Sequence, residues 1–234
     1  MNLLNKKIMV VVAHPDDEIL GIGGTIYKLV KKYKCEIKVV ILGEGITSRD
    51  ITRNVKKQRQ KLLQHKKDIL QAKKFLKYQI LNTYDFPDNR FDSIPLLDLI
   101  KIVEIEKESF NPEIIFTHHN GDLNIDHKLT FEAVLTACRP MENENVKTLI
   151  TFETMSGTEW IPSNEPKKFN PNFFVELNES ELNVKINAME SYSLEKRIYP
   201  HPRSPKAIEN RSEMWGISIG KNFAEAFQIV RHII

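Results

Sequence analysis

The amino-acid sequence predicts an α/β fold, a Rossmann-like three-layer sandwich with a mostly parallel sheet. Short β-branched runs alternate with longer segments of helical periodicity along most of the chain. Right-handed crossovers between such strands place helices on both faces of one sheet. No repeat, low-complexity tract or linker interrupts the 234 residues, so we expect one domain over residues 1–234.

The strands are predicted from short apolar runs rich in β-branched residues. The first run, Ile8–Ala13, is too short for a secretory signal and is followed at once by charged residues. The predicted strands are Ile8–Ala13, Glu36–Leu42, Gln79–Leu81, Glu113–Thr117, Leu149–Glu153 and Phe173–Leu177.

The helices are predicted from apolar residues that recur every three or four positions. The long basic segment Ile51–Leu76 shows this spacing through Leu62, Leu63, Ile69 and Leu70, and its lysines are expected to form a solvated face. The predicted helices are Glu18–Lys32, Ile51–Leu76, Pro95–Phe110, His127–Cys138, Glu181–Ser191 and Pro205–Trp215.

The composition excludes several classes of protein. Hydrophobic residues make up 41% of the chain and charged residues 28%, which is ordinary for a globular protein. The net charge of +3 is too small to favour a nucleic-acid partner. No segment reaches the roughly 18 apolar residues of a membrane helix. Cys35 and Cys138 are too few for a disulfide framework, so we expect buried thiols in a soluble, cytoplasmic protein, and the oligomeric state cannot be read.

The first cluster of reactive side chains follows the first predicted strand directly, as His14-Pro15-Asp16-Asp17-Glu18. Three carboxylates and an imidazole this close repel or compete unless a cation or hydrogen bonds hold them. One aspartate could simply cap the helix that follows. Capping does not explain a histidine beside two aspartates at the end of an apolar strand, whereas imidazole and carboxylate are normal ligands of zinc.

The second cluster lies after the strand that ends at Thr117, and it holds three histidines and two aspartates between His118 and His127. Functional residues of parallel sheets gather at the carboxyl ends of the strands, and adjacent strands would bring the two clusters together. Two ligands from the first cluster and one from the second would leave an open zinc position for water.

A dinucleotide site is the alternative that the glycines Gly21, Gly23 and Gly24 raise. These glycines lie inside the predicted helix, and the turn between Ala13 and Glu18 lacks the glycines that such a site requires. We interpret them as positions of close helix–sheet packing.

The first cluster, read as Ala13 to Glu18, resembles the signature of the LmbE-like, or PIG-L, N-acetylglucosaminyl deacetylases. The resemblance continues along most of the chain. The other segments that carry it are Gly43–Gly45 with Ser48-Arg49, Asp85–Asp92, His119–His127, His201–Ser204 and Ala224–Phe227.

The resemblance implies a zinc ion, or another divalent ion such as Fe²⁺, held by His14, Asp17 and His127. It implies Asp16 as the general base of a reaction that releases acetate from an N-acetylated amino sugar or its conjugate. Many members of the family carry a histidine three residues before the last metal ligand, where this chain has Asn124. An asparagine can donate a hydrogen bond but cannot carry a proton near neutral pH.

Further residues are candidates for catalysis or for substrate contact. Asp126 either orients a neighbouring imidazole or caps the helix predicted from His127. Arg49 and Arg90 follow the second and third strands and could clasp a phosphate or sugar hydroxyls. The remaining candidates for substrate contact are His119, His201 and Arg203.

The sequence therefore predicts a metal-dependent deacetylase of an amino sugar, with no nucleic-acid partner. Asn124 favours one alternative, a catalytically impaired sugar-binding protein of the same fold. The other alternative is the dinucleotide enzyme, which would bind NAD or NADP without a metal.

Overall fold

The computed structural model describes residues 3–234, which form one sheet of seven strands with helices on both of its faces. The strands are β1 (Lys7–Val12), β2 (Glu36–Gly43), β3 (Ile80–Phe86), β4 (Ile114–His118), β5 (Thr148–Phe152), β6 (Phe173–Leu177) and β7 (Phe223–His232). Their order across the sheet is β3-β2-β1-β4-β5-β7-β6. Strands β1 to β5 form the parallel part of the sheet, and β7 is antiparallel to both of its neighbours, β5 and β6. The predicted α/β fold with a mostly parallel sheet is confirmed.

The helices are α1 (Asp17–Lys31), α2 (Val55–Leu76), α3 (Leu96–Phe110), α4 (Ile125–Ala137), α5 (Glu179–Glu190) and α6 (Pro205–Ile217). All six predicted helices exist, with shifted ends. Helix α2 begins four residues later than predicted, because Asn54 caps it by accepting a hydrogen bond from the backbone N–H of Lys57. Among residues 3–234, no helix combines the length and the apolar character that a membrane crossing needs.

The hydrophobic core consists of one cluster on each face of the sheet. Successive residues of β1 point to opposite faces, so Ile8 and Val10 join one cluster while Met9 and Val11 join the other. Helices α1, α2 and α5 cover the first face, and α3 and α4 cover the second. The parallel strands are apolar on both sides because both sides are covered. Cys35 and Cys138 are buried and free, as predicted.

The glycines of α1 allow the helix to approach the sheet closely. A Cβ atom at Gly21 would lie 2.2 Å from the ring of Phe152, and one at Gly24 would lie 2.5 Å from Leu177. The interpretation as positions of close helix–sheet packing is confirmed for Gly21 and Gly24, whereas a Cβ atom at Gly23 would lie 3.2 Å from Lys185 of α5. None of the three glycines belongs to the turn after β1, where a dinucleotide motif would need it.

Strand β7 was not predicted, and it carries a buried carboxylate into the core. Glu225 accepts hydrogen bonds from the backbone N–H groups of Gly24 and Thr25 in α1, at 3.1 and 2.7 Å. Its Oε1 also forms an ion pair with Nζ of Lys185 in α5, at a distance of 2.6 Å. This pairing ties α1 to the antiparallel part of the sheet.

Candidate metal centre

The turn after β1 places the first cluster at the carboxyl edge of the sheet. The backbone N–H of His14 donates to Asp17 Oδ2 at 2.7 Å. Asp16 has a φ of 94°, in the left-handed region that aspartate tolerates better than most residues. It occupies the N-cap position of α1 without a capping hydrogen bond from its side chain, so the simple capping explanation of Asp16 is wrong.

One carboxylate oxygen lies at the centre of the cluster. Asp17 Oδ2 is 3.4 Å from His14 Nδ1 and 3.4 Å from His127 Nε2, where His127 lies in the first turn of α4. The three side chains are buried, and their donor atoms lie within 4.8 Å of one another. The structure therefore brings together the three residues that the resemblance implied as metal ligands.

Each of the two histidines turns its other nitrogen toward a second carboxylate. His14 Nε2 lies 2.9 Å from Asp126 Oδ2, and His127 Nδ1 lies 3.1 Å from Asp122 Oδ1. A carboxylate in this position takes the ring N–H and leaves the opposite nitrogen unprotonated for a metal. His14 is thus held with its free nitrogen toward Asp17, while His127 Nδ1 lies close to Asp122 without a well-aligned hydrogen bond.

Asp126 acts on His14 and does not cap α4. The N-cap of α4 is Asn124, whose Oδ1 accepts the backbone N–H of Asp126 at 2.8 Å. The other oxygen of Asp126 accepts the backbone N–H of Phe91 at 2.9 Å, and the residue is fully buried. Of the two predicted roles, the contact with a neighbouring imidazole is the one the structure shows.

A third imidazole, His118, lies beside this centre but is already engaged. Its Nε2 accepts the backbone N–H of Ala13 at 2.9 Å, and its Nδ1 lies 2.9 Å from Thr154 Oγ1. Its ring stacks on His127 at a centroid distance of 4.0 Å. Burial, together with the charge of His127, lowers the pKa of His118 to about 4, so it remains neutral. We therefore leave it out of the ligand set.

The electrostatics of the metal-free centre show how strongly the carboxylates act on the histidines. Burial alone would lower the pKa of His127, but the charges of Asp17 and Asp122 raise it to about 9. Burial would likewise raise the pKa of Asp17, yet the charge of His127 holds it well below its usual range. The same carboxylates would stabilise a cation bound at this position.

The donor set fits a divalent ion. Two ligands at about 2.0–2.1 Å from a tetrahedral ion lie roughly 3.3 Å apart, which is close to the 3.4 Å from Asp17 Oδ2 to His14 Nδ1 and to His127 Nε2. A second group of potential ligands is formed by His14, Asp88 and Asp126. It uses the opposite nitrogen of the same imidazole, and a neutral imidazole has a lone pair on only one nitrogen. We interpret Asp88 and Asp126 as groups that orient His14.

An open cavity of about 210 Å³ lies directly above the centre. Seven of the predicted site residues line it, namely His14, Asp16, Asp17, Arg49, Asn124, His127 and Arg203. Asp16 Oδ2 is 3.3 Å from Arg203 Nη1 and has no hydrogen-bond partner among residues 3–234. Burial raises the pKa of Asp16, against the opposing charge of Arg203. Asp16 lines the cavity, and no group within the described part of the chain donates a hydrogen bond to this buried oxygen.

Three predicted substrate residues lie outside the lining of this cavity. Arg90 donates through Nη2 to the backbone oxygen of Ile51 at 3.1 Å. The ring of His119 is buried and contacts the backbone oxygen of Lys167 at 2.7 Å. His201 Nδ1 accepts the backbone N–H of Arg203 at 3.1 Å, so it shapes the loop and does not face the cavity.

Two buried carboxylates of the cavity wall were not singled out from the sequence. Asp88 accepts the backbone N–H and the hydroxyl of Ser48 at 3.1 and 2.6 Å. Glu195 lies between Arg49 and Arg203, which reach it from distant parts of the chain. Asp88 falls within the Asp85–Asp92 segment quoted for the resemblance, so a signal existed for it, while Glu195 lies in a segment without a recognisable motif.

The fold recurs in known structures. The N,N′-diacetylchitobiose deacetylase of Pyrococcus horikoshii superposes with a TM-score of 0.74 at 16% identity, over 97% of this chain and 84% of that one. The 4-carboxy-2-hydroxymuconate hydratase GalB of Pseudomonas putida KT2440 superposes with a TM-score of 0.72 at 18% identity, over 98% of each chain. The likeness shows the fold alone, and the second structure shows that this fold also serves a different reaction.

The sequence comparisons identify the family. The uncharacterized deacetylase YaiS of Escherichia coli K12 is 25% identical over 192 residues, which cover 80% of this chain and 90% of YaiS. Residues 9–138 match the PIG-L family, described as GlcNAc-PI de-N-acetylase, and they include His14, Asp17 and His127. The chain belongs to the PIG-L family of de-N-acetylases.

Proposed function

We propose that this chain is a zinc-dependent hydrolase that removes the N-acetyl group of an amino sugar or its conjugate. The observation that carries the proposal is the convergence of His14 Nδ1, Asp17 Oδ2 and His127 Nε2 below a cavity in which Asp16 has an unpaired carboxylate oxygen. Membership of a de-N-acetylase family supports the reaction class. The description of that family also supports an amino sugar as the substrate.

The three buried ligands would hold the ion, and Asp126 would fix His14 in the required tautomer. When bound, the ion polarises the amide carbonyl and lowers the pKa of a water molecule. Zinc suits two imidazoles and a carboxylate, and the same set accepts other divalent ions such as Fe²⁺. Three protein ligands leave a position for water and substrate.

Asp16 would act as the general base. Its unpaired Oδ2 takes a proton from the attacking water, and Arg203 at 3.3 Å stabilises the ionised carboxylate before that transfer. The water oxygen forms a bond to the acetyl carbon, and the carbon–nitrogen bond breaks. Asp16 then gives the proton to the leaving nitrogen, so the products are acetate and a free amine.

Asn124 would stabilise the oxyanion as a neutral donor. Its Oδ1 is occupied by the backbone N–H of Asp126, which fixes the orientation of the amide. Its Nδ2 donates to Asn89 Oδ1 at 2.9 Å and carries a second hydrogen. Asn124 lines the cavity, and a fixed amide supplies the electrostatic part of oxyanion stabilisation without carrying a proton.

The test is acetate release from N-acetylated sugars and sugar nucleotides, with and without a chelator. We expect release that a chelator abolishes and zinc restores. Asp16→Asn should keep one bound metal per chain and lose activity by at least about 10²-fold, as removal of a general base does. The control Asp98→Asn changes an exposed aspartate of α3 and should behave as the wild type.

Two outcomes would contradict the proposal. Full activity in Asp16→Asn would exclude this residue as the base. Saturable sugar binding by metal-loaded protein, with no acetate from any compound, would instead establish the sugar-binding alternative that Asn124 favours.

A further inference from the structure

A buried glutamate holds two arginines on one wall of the cavity. Glu195 is 5% exposed, and each of its carboxylate oxygens takes one guanidinium group. Oε1 receives Nη2 of Arg49, and Oε2 receives Nη1 of Arg203 at 2.5 Å. A third arginine, Arg197, has Nη2 at 3.9 Å from Oε2.

The arginines come from different parts of the chain. Arg49 belongs to the short turn Thr47–Arg49 after β2, whereas Glu195, Arg197 and Arg203 follow α5. Like charges from separate loops would repel, and the shared carboxylate offsets that repulsion. Glu195 is thus a positioning residue, because it fixes where two guanidinium groups face the cavity.

Both guanidinium groups keep donors that the protein does not use. Arg49 makes its hydrogen bonds through Nη2 alone, to Glu195 and to the backbone oxygen of Leu194. Arg203 uses Nε toward Ser156 Oγ and Nη1 toward Glu195. Within residues 3–234, this leaves Nε and Nη1 of Arg49 and Nη2 of Arg203 open to a ligand.

The carboxylates of this wall are engaged within the protein, whereas some guanidinium donors are not. Glu195 binds Arg49 and Arg203, and Asp88 accepts hydrogen bonds from Ser48. The open donors belong to planar cationic groups whose paired N–H groups match the oxygens of a phosphate or a carboxylate. A neutral sugar hydroxyl would accept from these donors without forming a charge-assisted pair.

We propose that Arg49 and Arg203, held by Glu195, form a subsite for a phosphate group attached to the amino sugar. This inference rests on the proposed function and narrows its substrate to a phosphorylated amino sugar or a sugar nucleotide. The subsite lies beside Asp16 in the same cavity, so one molecule can place its phosphate on the arginines and its acetamido group over the metal centre.

The test compares kcat/KM for N-acetylglucosamine, its 1-phosphate, its 6-phosphate and its uridine diphosphate conjugate. We expect at least one phosphorylated compound to exceed the neutral sugar by about tenfold or more, since charged hydrogen bonds contribute that much. The comparison between the two sugar phosphates and the uridine diphosphate conjugate shows whether the subsite prefers a phosphate monoester or a nucleotide diphosphate.

Arg49→Gln should reduce the ratio of charged to neutral kcat/KM to near one. Arg49→Lys keeps the charge but loses the paired donors, so it should give an intermediate ratio. The control Arg139→Gln changes an arginine whose side chain is 65% exposed and lies outside the cavity lining, and it should keep the wild-type ratio.

Equal rates on all four compounds in the wild type would overturn the subsite, as would a ratio that Arg49→Gln leaves unchanged. If no compound releases acetate, the proposed function fails, and calorimetric binding then decides the subsite. Tighter binding of the phosphate that disappears in Arg49→Gln would support it, and equal affinities for charged and neutral sugars would refute it.

Discussion

Replacing Asp126 by asparagine tests how an outer carboxylate controls the tautomer of His14. In the structure, one oxygen of Asp126 accepts the backbone N–H of Phe91 and the other lies 2.9 Å from His14 Nε2. An asparagine of the same shape has only one oxygen. If that oxygen stays with Phe91, the amide N–H faces Nε2, and His14 must then carry its proton on Nδ1, the nitrogen meant for the metal.

The expected loss follows from this contact, which is the shorter of the two that carboxylates make with His14 Nε2, since Asp88 Oδ1 lies 3.5 Å away. Changes to the outer partners of metal-ligating histidines typically cost 10–100-fold in metal affinity, which is about 1.4–2.7 kcal/mol. We expect the upper half of that range, because Asp126 is fully buried and no water can replace it. The assay is competition for zinc against a chromophoric chelator, with thermal unfolding of the metal-free protein as a check on folding.

The control is Asp98→Asn in α3, which should bind zinc as the wild type does. An affinity for zinc within twofold of the wild type in Asp126→Asn, with the fold intact, would refute the tautomer argument. It would mean that His14 selects its tautomer without the carboxylate.

Two further predictions concern stability. Gly21→Ala should lower the free energy of unfolding, measured in urea, by about 1–3 kcal/mol, because the added methyl group would lie 2.2 Å from the buried ring of Phe152. The control Gly23→Ala, whose methyl group would lie 3.2 Å from its nearest neighbour, should lower that free energy by less. Equal losses of stability in the two variants would contradict the packing argument. Burial lowers the pKa of His65 to about 4, so the unfolded chain takes up a proton near pH 6.5 that the folded chain refuses. Stability from this residue is therefore complete above pH 6.5 and falls between pH 6.5 and 4. Over that interval His65→Leu should lose about 3 kcal/mol less free energy of unfolding than the wild type, a difference that would be absent if His65 became charged freely in the folded chain.

The sequence was sufficient for the parallel strands β1, β2, β4 and β5 and for the two clusters that converge on the metal centre, whereas β3 was predicted as Gln79–Leu81 and runs over Ile80–Phe86. Strands β1, β2 and β4 are apolar on both faces, so their runs are visible without any tertiary information. Their carboxyl ends meet at one edge, and this geometry predicts that the two clusters come together, while the choice of His127 within the second cluster came from the family resemblance.

Strand β7 could not be predicted in the same way. Its segment Phe223–Phe227 contains two alanines and a glutamate, which are poor strand formers. Glu225 is satisfied in the core by the backbone of α1 and by Lys185, and these partners are far away in the sequence. A buried carboxylate with distant partners looks like a surface residue until the fold is known.

The start of α4 was misplaced for a related reason. Asn124 and Asp126 are both good capping residues, so local sequence does not choose between them. The choice is made by tertiary contacts, because His14 and Phe91 occupy the carboxylate of Asp126. Asn124 is then left to cap the helix.

The hold of Glu225 on α1 has a consequence for the metal ligands. Asp17 is the first residue of α1, and Glu225 accepts hydrogen bonds from the same helix two turns later. Glu225 lies in a strand outside residues 9–138, the segment that matches the family. The C-terminal third of the chain therefore stabilises the position of a metal ligand that belongs to the N-terminal third. Truncated chains that keep every ligand but lack β7 should therefore bind the ion with lower affinity, because the helix that carries Asp17 would no longer be fixed in its orientation.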